Sequence, residues 1–129
     1  MIMTDMGKVV AVVGASADRH KFGNKAVRAF RAAGHDVVPI NPGVKEVEGL
    51  IAYASVLDVP RAIDIATVYV PPDVAERLLP ELVQKGIGEI WLNPGADDDA
   101  VIAAAKKLGL NVIVACSIIG AGQNPRNFS

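Results

Sequence analysis

The stretch that decides the fold reads Lys8-Val9-Val10-Ala11-Val12-Val13-Gly14-Ala15-Ser16. Its first six residues form a continuous, mainly β-branched run that is too short for a typical helix. Such a run predicts a strand that is buried on both faces. Glycine directly after the strand permits a tight turn, so we expect a strand, a close turn and then a helix.

The rest of the chain repeats this alternation of strand and helix. Further strands are predicted at residues 36–40, 50–53, 63–70, 89–92 and 111–115, with helices at 23–33, 73–85 and 97–108 and a helical turn at 56–60. Asp73 is the expected N-cap of its helix, and Pro80 predicts a kink or two pieces there. The alternation predicts an α/β, Rossmann-like three-layer α/β/α fold with a mostly parallel sheet of five or six strands.

The length and composition suit a single domain. The chain has 129 residues, which we assign to one domain spanning 1–129. Hydrophobic residues make up 51% and aromatic residues only 5%, so small aliphatic side chains must fill the core. The end of the chain, residues 120–129, is polar and glycine-rich, and we expect it to be a flexible tail.

Charge and hydropathy narrow the class of partner. The net charge of −1 provides no overall basic field for nucleic acid or an anionic membrane. No apolar run reaches the roughly 20 residues of a membrane helix, and the first eight residues do not resemble a signal peptide. Cys116 is the only cysteine, so no intrachain disulfide can form. We expect a cytoplasmic protein with a small-molecule ligand. The sequence leaves open whether the protein forms a homo-oligomer.

The first turn has the residues of a phosphate site. Small residues behind Gly14 let a ligand approach the backbone, and the helix start beyond offers free N–H donors and partial positive charge. The Ser16 hydroxyl can add a hydrogen bond, and Arg19 and Lys21 can add charge. The alternative is an ordinary strand-to-helix turn with solvated charges.

The standard dinucleotide fingerprint is not met. The pattern G-x-G-x-x-G requires glycine where this chain has Ser16 and Arg19. The second predicted strand ends at Asn41 and Pro42, without the carboxylate that holds the ribose diol of NAD. A carboxylate there would repel a ribose phosphate, so its absence favours coenzyme A or NADP over NAD.

Several motifs together carry a resemblance to a known family. They are Val12-Val13-Gly14-Ala15-Ser16, Lys21-Phe22-Gly23, Pro39-Ile40-Asn41-Pro42, Gly49 with Tyr53, Ile63-Asp64-Ile65-Ala66, Val70-Pro71-Pro72 and Gly88-Glu89-Ile90-Trp91-Leu92-Asn93-Pro94-Gly95. In order and spacing, over residues 8 to 116, they resemble the small CoA-binding domain family. Its members are related to the N-terminal domain of the succinyl-CoA synthetase alpha subunit and to ADP-forming acyl-CoA synthetases.

The resemblance implies a CoA-binding module and a set of ligand contacts. The phosphates would meet the turn and its neighbours, the ribose would lie beside the end of the second strand, and the two later strand ends would wall the rest of the ligand. The implied residues are Gly14, Ala15, Ser16, Arg19, Lys21, Gly23, Asn41, Pro42, Val70, Pro71, Pro72, Asn93 and Gly95. The chain departs from the family after Cys116, where no histidine follows.

Other chemistry-bearing residues have plainer interpretations. We expect Cys116 and Trp91 to be buried apolar groups, His20 and His35 to be solvated, and Asp64 to be structural. The aspartates at 97–99 are expected to cap a helix rather than to bind metal. No nucleophile with a base stands out.

Three hypotheses about function therefore stand at this point. The first is a non-catalytic, possibly regulatory module that binds CoA or an acyl-CoA. The second is an enzyme, either an NADP-dependent oxidoreductase or a subunit of an ADP-forming acyl-CoA ligase. The third is an interaction domain that has lost its ligand.

Overall fold

A computed structural model of the protein describes residues 7–129. The strands are β1 Val9–Val13, β2 Asp36–Ile40, β3 Glu46–Val47, β4 Leu50–Ile51, β5 Ile65–Val68, β6 Glu89–Leu92 and β7 Val112–Val114. The helices are α1 Phe22–Ala32, α2 Pro72–Lys85, α3 Asp99–Lys107 and α4 Ser117–Gly120, with 3₁₀ turns at Val56–Asp58 and Pro125–Phe128. No helix within residues 7–129 is long and apolar enough to cross a membrane.

The main sheet is five-stranded and parallel throughout. Its strand order is β2-β1-β5-β6-β7, and β3 and β4 form a separate antiparallel hairpin. The chain leaves β1 first towards β2 and later towards β5, so the direction of winding reverses beside β1. This confirms the predicted Rossmann-like fold and places the point where such folds bind ligands at the carboxyl end of β1.

The two faces of the sheet are covered by different helices. Successive residues of β1 alternate between faces, so Val10 and Val12 belong to one core cluster and Ala11 and Val13 to the other. Helices α2 and α3 pack on the Ala11 face, and α1 and α4 pack on the opposite face, where Trp91 is buried. The core therefore consists of two aliphatic layers with the sheet between them.

Helix α2 begins differently from the prediction. Its N-cap is Pro71 and its first residue is Pro72, while Asp73 lies inside the first turn, so the prediction of Asp73 as N-cap is wrong. Proline suits a first helical position because its φ is already helical and its missing N–H would have no partner there. The helix also passes through the exposed Pro80 as one element rather than as two pieces.

The region after β2 is a hairpin instead of the short strand predicted at 50–53. Only residues 50 and 51 pair with β3, and Tyr53 forms a single parallel bridge with Ile40. The Asn41 N–H donates to the Tyr53 carbonyl at 2.9 Å, and the Tyr53 N–H donates to Pro39 at 3.0 Å. These bonds cover the edge strand β2.

The isolated polar residues divide into confirmed and corrected predictions. Asp98 caps α3 by accepting from the Ala100 N–H at 2.8 Å, and Asp64 accepts from the Val9 N–H at 2.8 Å, so both structural roles are confirmed. The prediction that His35 is solvated is wrong: it is buried, with its ring 5.9 Å from that of Phe30, and its Nδ1 accepts from the Lys8 N–H at 3.2 Å. Cys116 is half-buried rather than fully buried.

The end of the chain contacts α1. The Arg28 guanidinium donates to the Phe128 carbonyl and lies 5.9 Å from the centroid of its ring. The 3₁₀ turn at Pro125–Phe128 therefore has more contacts than its composition indicates. Its flexibility stays a prediction.

Candidate functional site

The turn after β1 has a backbone conformation that requires glycine. Gly14 has φ +91°, and a Cβ there would lie 2.9 Å from Val70 Cγ1 and 3.1 Å from the Tyr69 carbonyl oxygen. The N–H groups of Gly14 and Ala15 both donate to the Ile40 carbonyl, at 3.0 and 3.2 Å. The turn is therefore fastened to the end of β2, and these two amides are already used within the fold.

Helix α1 begins directly against this turn. A Cβ at Gly23 would lie 2.1 Å from the Gly14 carbonyl oxygen, so only glycine allows this approach. Lys21 is the N-cap of α1, and no side chain within residues 7–129 caps the helix. The Asn24 N–H donates to the Lys21 carbonyl at 3.1 Å, and the N–H groups of Phe22 and Gly23, which line the cavity described below, have no side-chain acceptor among the described residues. Anion sites at helix starts use such N–H groups.

The loop between the turn and α1 is held by short-range bonds. Ser16 Oγ accepts from the Asp18 N–H at 3.0 Å, and Asp18 Oδ1 accepts from the His20 N–H at 3.0 Å. Asn24, a buried residue of α1, donates to the Ser16 carbonyl at 2.9 Å. These bonds fix the position of Ser16 next to the start of α1.

Asn41 connects the turn to the loop that follows β2. Its Nδ2 donates to the Ala15 carbonyl at 2.7 Å, and its Oδ1 accepts from the Gly43 N–H at 2.7 Å. The side chain thus uses both of its polar atoms inside the protein, and it positions the two loops against each other.

Two adjoining cavities open at this edge of the sheet. We call the first, of about 490 Å³, the turn compartment; it is lined by residues 14–16, 21–23, 69–71, 94 and 95, together with Asn41. The second, of about 210 Å³, is the apolar compartment, between the carboxyl ends of β1 and β2, residues 54–56 and one face of α2. Gly14, Asn41 and Val70 line both, so the compartments form one crevice.

Most of the predicted site residues line this crevice. Those at the turn compartment are Gly14, Ala15, Ser16, Lys21, Gly23, Asn41, Val70, Pro71 and Gly95, and Pro42 lines the apolar compartment. Arg19, Pro72 and Asn93 line neither. Contact of each residue with a ligand stays a prediction.

Arg19 is directed towards the hairpin rather than the crevice. Its guanidinium lies 2.9 Å from the Glu48 carboxylate, which also accepts from Asn24 Nδ2 at 3.2 Å. Glu48 has φ 50° at the tip of the hairpin, and its carbonyl accepts from Arg31 at 2.9 Å. Lys21 is therefore the basic side chain of this loop that lines the turn compartment.

Asn93 belongs to a buried polar network behind the crevice. Its Nδ2 donates to Thr67 Oγ1 at 2.7 Å, and its Oδ1 accepts from the Ser117 N–H at 2.8 Å. Ser117 Oγ lies 2.6 Å from Thr67 Oγ1 and 2.9 Å from the Tyr69 hydroxyl. The network ties β5, β6 and α4 together at the carboxyl edge of the sheet.

Tyr69 joins this network to the turn compartment that it lines. Burial raises the pKa of its phenol to about 12, although the hydrogen bonds with Ser117 and Thr67 oppose that shift. The phenol is neutral near pH 7, so it can donate or accept a hydrogen bond. The sequence prediction missed Tyr69 because nothing in the pattern distinguishes it from a core residue of the predicted strand.

The sequence prediction also missed the far wall of the apolar compartment. That wall combines Ser55, before the 3₁₀ turn, with Val74, Leu78 and Glu81 of α2. The three α2 residues have helical spacing, but spacing alone does not tell a cavity wall from a core face. Residues 7–129 contain no cluster of His, Cys, Asp or Glu that could hold a metal.

Comparison with known proteins identifies the family. A family model described as a CoA binding domain matches residues 8–127. The chain belongs to the CoA-binding domain family. This confirms the resemblance that the motifs indicate. The matched range also contains every residue that lines the crevice.

Relatives of this CoA-binding domain are found in larger proteins and as single domains. It is 38% identical over 89 residues to an ADP-forming acetate–CoA ligase of Methanocaldococcus jannaschii, covering 68% of this chain and 13% of the ligase. A solved structure of a conserved hypothetical protein from Pyrococcus furiosus has a TM-score of 0.79 at 31% identity. The match covers 88% of this chain and 98% of that protein's chain.

A third relative shows the domain as part of a synthetase. The dinucleotide-forming acetyl-coenzyme A synthetase 1 of Candidatus Korarchaeum cryptofilum, solved with phosphate and ADP, has a TM-score of 0.74 at 28% identity. The match covers 85% of this chain and 26% of the synthetase. The chain thus spans a small part of the ligases and synthetases that it resembles.

Proposed function

We propose that the protein binds coenzyme A or an acyl-CoA in the two-compartment crevice, with no chemistry of its own. The observation that carries the proposal is a turn with an uncapped helix start that opens directly onto an apolar compartment, in a chain of the CoA-binding domain family. Coenzyme A has groups that suit both compartments: a diphosphate and a ribose phosphate for the turn, and a flat purine for the apolar compartment.

The turn compartment suits the phosphates. It has the uncapped start of α1, the Ser16 loop and the basic residue Lys21. Helix N–H groups and a nearby cation together favour bound anions. The amides of Gly14 and Ala15 already donate to Ile40, and those of Asp18 and His20 donate within the loop. The phosphates would therefore use the Ser16 amide and those at the start of α1.

The apolar compartment suits the purine. About 210 Å³ is less than a pocket for a whole drug-sized ligand requires, so it suits one ring system with the rest of the molecule outside. The end of β2 at this point carries Asn41 and no carboxylate. A phosphorylated ribose beside it would therefore meet no like charge, which favours coenzyme A and NADP over NAD.

A binding role without catalysis fits the groups that line the turn compartment. Tyr69, with a pKa of about 12, is a poor general acid or general base near neutral pH, although it can form hydrogen bonds. Of the other polar residues that line the compartment, Ser16 and Asn41 have side chains hydrogen-bonded to the protein backbone, and Lys21 is a cation. Such groups can hold a ligand, and within residues 7–129 the partners of Ser16 and Asn41 are backbone groups rather than a base that could activate a nucleophile.

A second candidate function is suggested by the relatives. The matched part of the Methanocaldococcus jannaschii ligase is 13% of that protein, so an equivalent domain can belong to a ligase. In this role the chain would present coenzyme A to catalytic domains on a partner chain. Acetate- and ATP-dependent consumption of coenzyme A that requires both chains would favour this function over an independent binding module.

The proposal is tested by thermal unfolding with coenzyme A, dephospho-CoA, NADP and NAD. A ligand at 100 times its Kd adds about 2.7 kcal/mol to the free energy of unfolding, which is readily seen as a rise in Tm. We expect coenzyme A to raise Tm most and NAD least. A rise with NADP and none with coenzyme A would overturn the proposal and favour an oxidoreductase.

A further inference from the structure

The apolar compartment has one acidic side chain in its wall. Glu81 lies on the face of α2 that also carries Val74 and Leu78, and it is half-buried. The other walls are mostly aliphatic, with Val13, Ile40 and Val70 among them. A carboxylate at the edge of such a surface is costly unless something donates to it.

The position of this carboxylate is fixed by the segment opposite. The Ser55 hydroxyl donates to Glu81 Oε1, and Ser55 Oγ itself accepts from the Leu57 N–H at 3.1 Å. The Ser55 hydroxyl thus donates its proton to Glu81, while its oxygen accepts from the backbone of the 3₁₀ turn. The second carboxylate oxygen, Oε2, has no protein donor within residues 7–129.

No cation neutralises Glu81 within the part of the chain that the structure describes. Lys85 lies one turn further along α2, but its Nζ donates to the Val59 carbonyl at 2.6 Å. The Arg77 guanidinium lies 3.9 Å from the Asp73 carboxylate, on the exposed side of the same helix, and forms no ion pair with Glu81. The wall of the apolar compartment therefore presents one fixed acceptor, Oε2, to which no protein group within residues 7–129 donates.

We propose that Glu81 selects the base of the ligand, by accepting a hydrogen bond from the exocyclic 6-amino group of adenine in the apolar compartment. This rests on the function proposed above and names the group that reads the nucleobase. Adenine fits because it is flat, apolar on both faces and carries one amino group that can only donate. A purine without that group would cover Oε2 without donating to it, and the loss of water at that oxygen disfavours its binding.

The first test needs no variant. Adenosine 3′,5′-bisphosphate and purine riboside 3′,5′-bisphosphate differ only in the 6-amino group, which is hydrogen in the second. Since hydrogen bonds to charged groups are stronger than neutral ones, we expect the wild-type protein to bind the amino compound about tenfold more tightly by titration calorimetry. Equal affinity for the two compounds would overturn the proposal.

The second test compares two glutamate variants of the same helix. Glu81→Gln removes the charge at the compartment wall, whereas Glu76→Gln removes one from an exposed position outside both compartments. We expect Glu81→Gln to reduce the preference for the amino compound to below about threefold, and Glu76→Gln to retain it. A Glu81→Gln variant that loses affinity for both compounds equally would show a merely structural role and overturn the proposal.

Coenzyme A, titrated in parallel, separates the role of Glu81 from the proposed function. If coenzyme A binds and the two bisphosphates do not differ, the role of Glu81 is wrong and the proposed function stands. If neither coenzyme A nor either bisphosphate binds, both are overturned.

Discussion

Lys21 and Arg19 lie two residues apart in one loop, in different electrostatic surroundings. Arg19 pairs with Glu48, whereas Lys21 lines the turn compartment. We expect Lys21→Ala to weaken coenzyme A binding about tenfold and Arg19→Ala by less than threefold. Titration calorimetry at two salt concentrations measures both, and the Lys21 variant should also be less salt-dependent. A larger loss from Arg19→Ala would mean that the ion pair with Glu48 opens for the ligand.

Gly23 tests the contact between α1 and the turn. In an ordinary helix, alanine is more stable than glycine by roughly 0.5–1 kcal/mol. Here a Cβ would lie 2.1 Å from the Gly14 carbonyl oxygen, so we expect Gly23→Ala to cost a net 1–3 kcal/mol, roughly, in urea unfolding. The control is Gly88→Ala, where the nearest atom is 3.8 Å away and the change should be near neutral. Equal stability of the two variants would contradict the packing role.

Individual residues show what a sequence pattern can predict. Gly14 could be predicted because a glycine directly after a β-branched run is typical of a tight turn with a positive φ. The direction of Arg19 could not, since it depends on Glu48, which lies in a hairpin that the pattern did not predict. Glu81 was missed for a similar reason, because its partner Ser55 is distant in sequence.

At the scale of elements, His35 connects the end of α1 to the start of β1. Burial, and secondarily the charge of Lys8, lower its pKa below the ordinary value of 6.5. The unfolded chain therefore takes up the proton first as pH falls, so stability is retained above about pH 6.5 and is lost below it. Urea unfolding at pH 7.5 and 5.5 should show this loss.

Substituting each of the two histidines in turn tests this prediction. His35→Gln should reduce the loss of stability between pH 7.5 and 5.5, because the titrating group is gone. His20→Gln, at an exposed loop position, should retain it. A wild-type pH dependence in the His35 variant would assign the effect to other groups.

Helix α4 packs against the only tryptophan of the chain. A Cβ at Gly120 would lie 2.4 Å from the Trp91 ring, so Gly120→Ala must displace the helix or the ring. We expect a loss of about 1–3 kcal/mol and a red shift of tryptophan emission, as the ring gains contact with water. Ile119→Ala, on the exposed side of α4, should leave the emission unchanged. An unshifted spectrum for Gly120→Ala would contradict this packing.

The prediction of elements failed where two physical signals compete. Asp73 is a good N-cap residue, but the preceding Pro71-Pro72 pair has the helix geometry already and starts α2 earlier. Strand runs such as β1 and β6 were predicted well, because parallel strands buried on both faces have few alternatives.

At the scale of the molecule, the crevice is a consequence of the sheet order. Because β2 and β5 flank β1 with opposite directions of winding, the loops after these three strands separate and leave a cleft at their carboxyl ends. Asn41 follows β2, Gly14 follows β1 and Val70 follows β5, and these three residues line both compartments. The alternation of strands and helices was sufficient to predict the parallel sheet at whose carboxyl edge these residues lie. The division into two compartments was not predictable, because it depends on how α2 packs.

The most direct test of the proposed binding mode is a crystal structure of the protein grown with saturating coenzyme A. We expect the diphosphate at the start of α1, within hydrogen-bond distance of the Ser16 amide and near Lys21. We also expect the adenine in the apolar compartment beside Glu81. Coenzyme A bound elsewhere on the protein, or an empty crevice at saturating ligand, would contradict this binding mode.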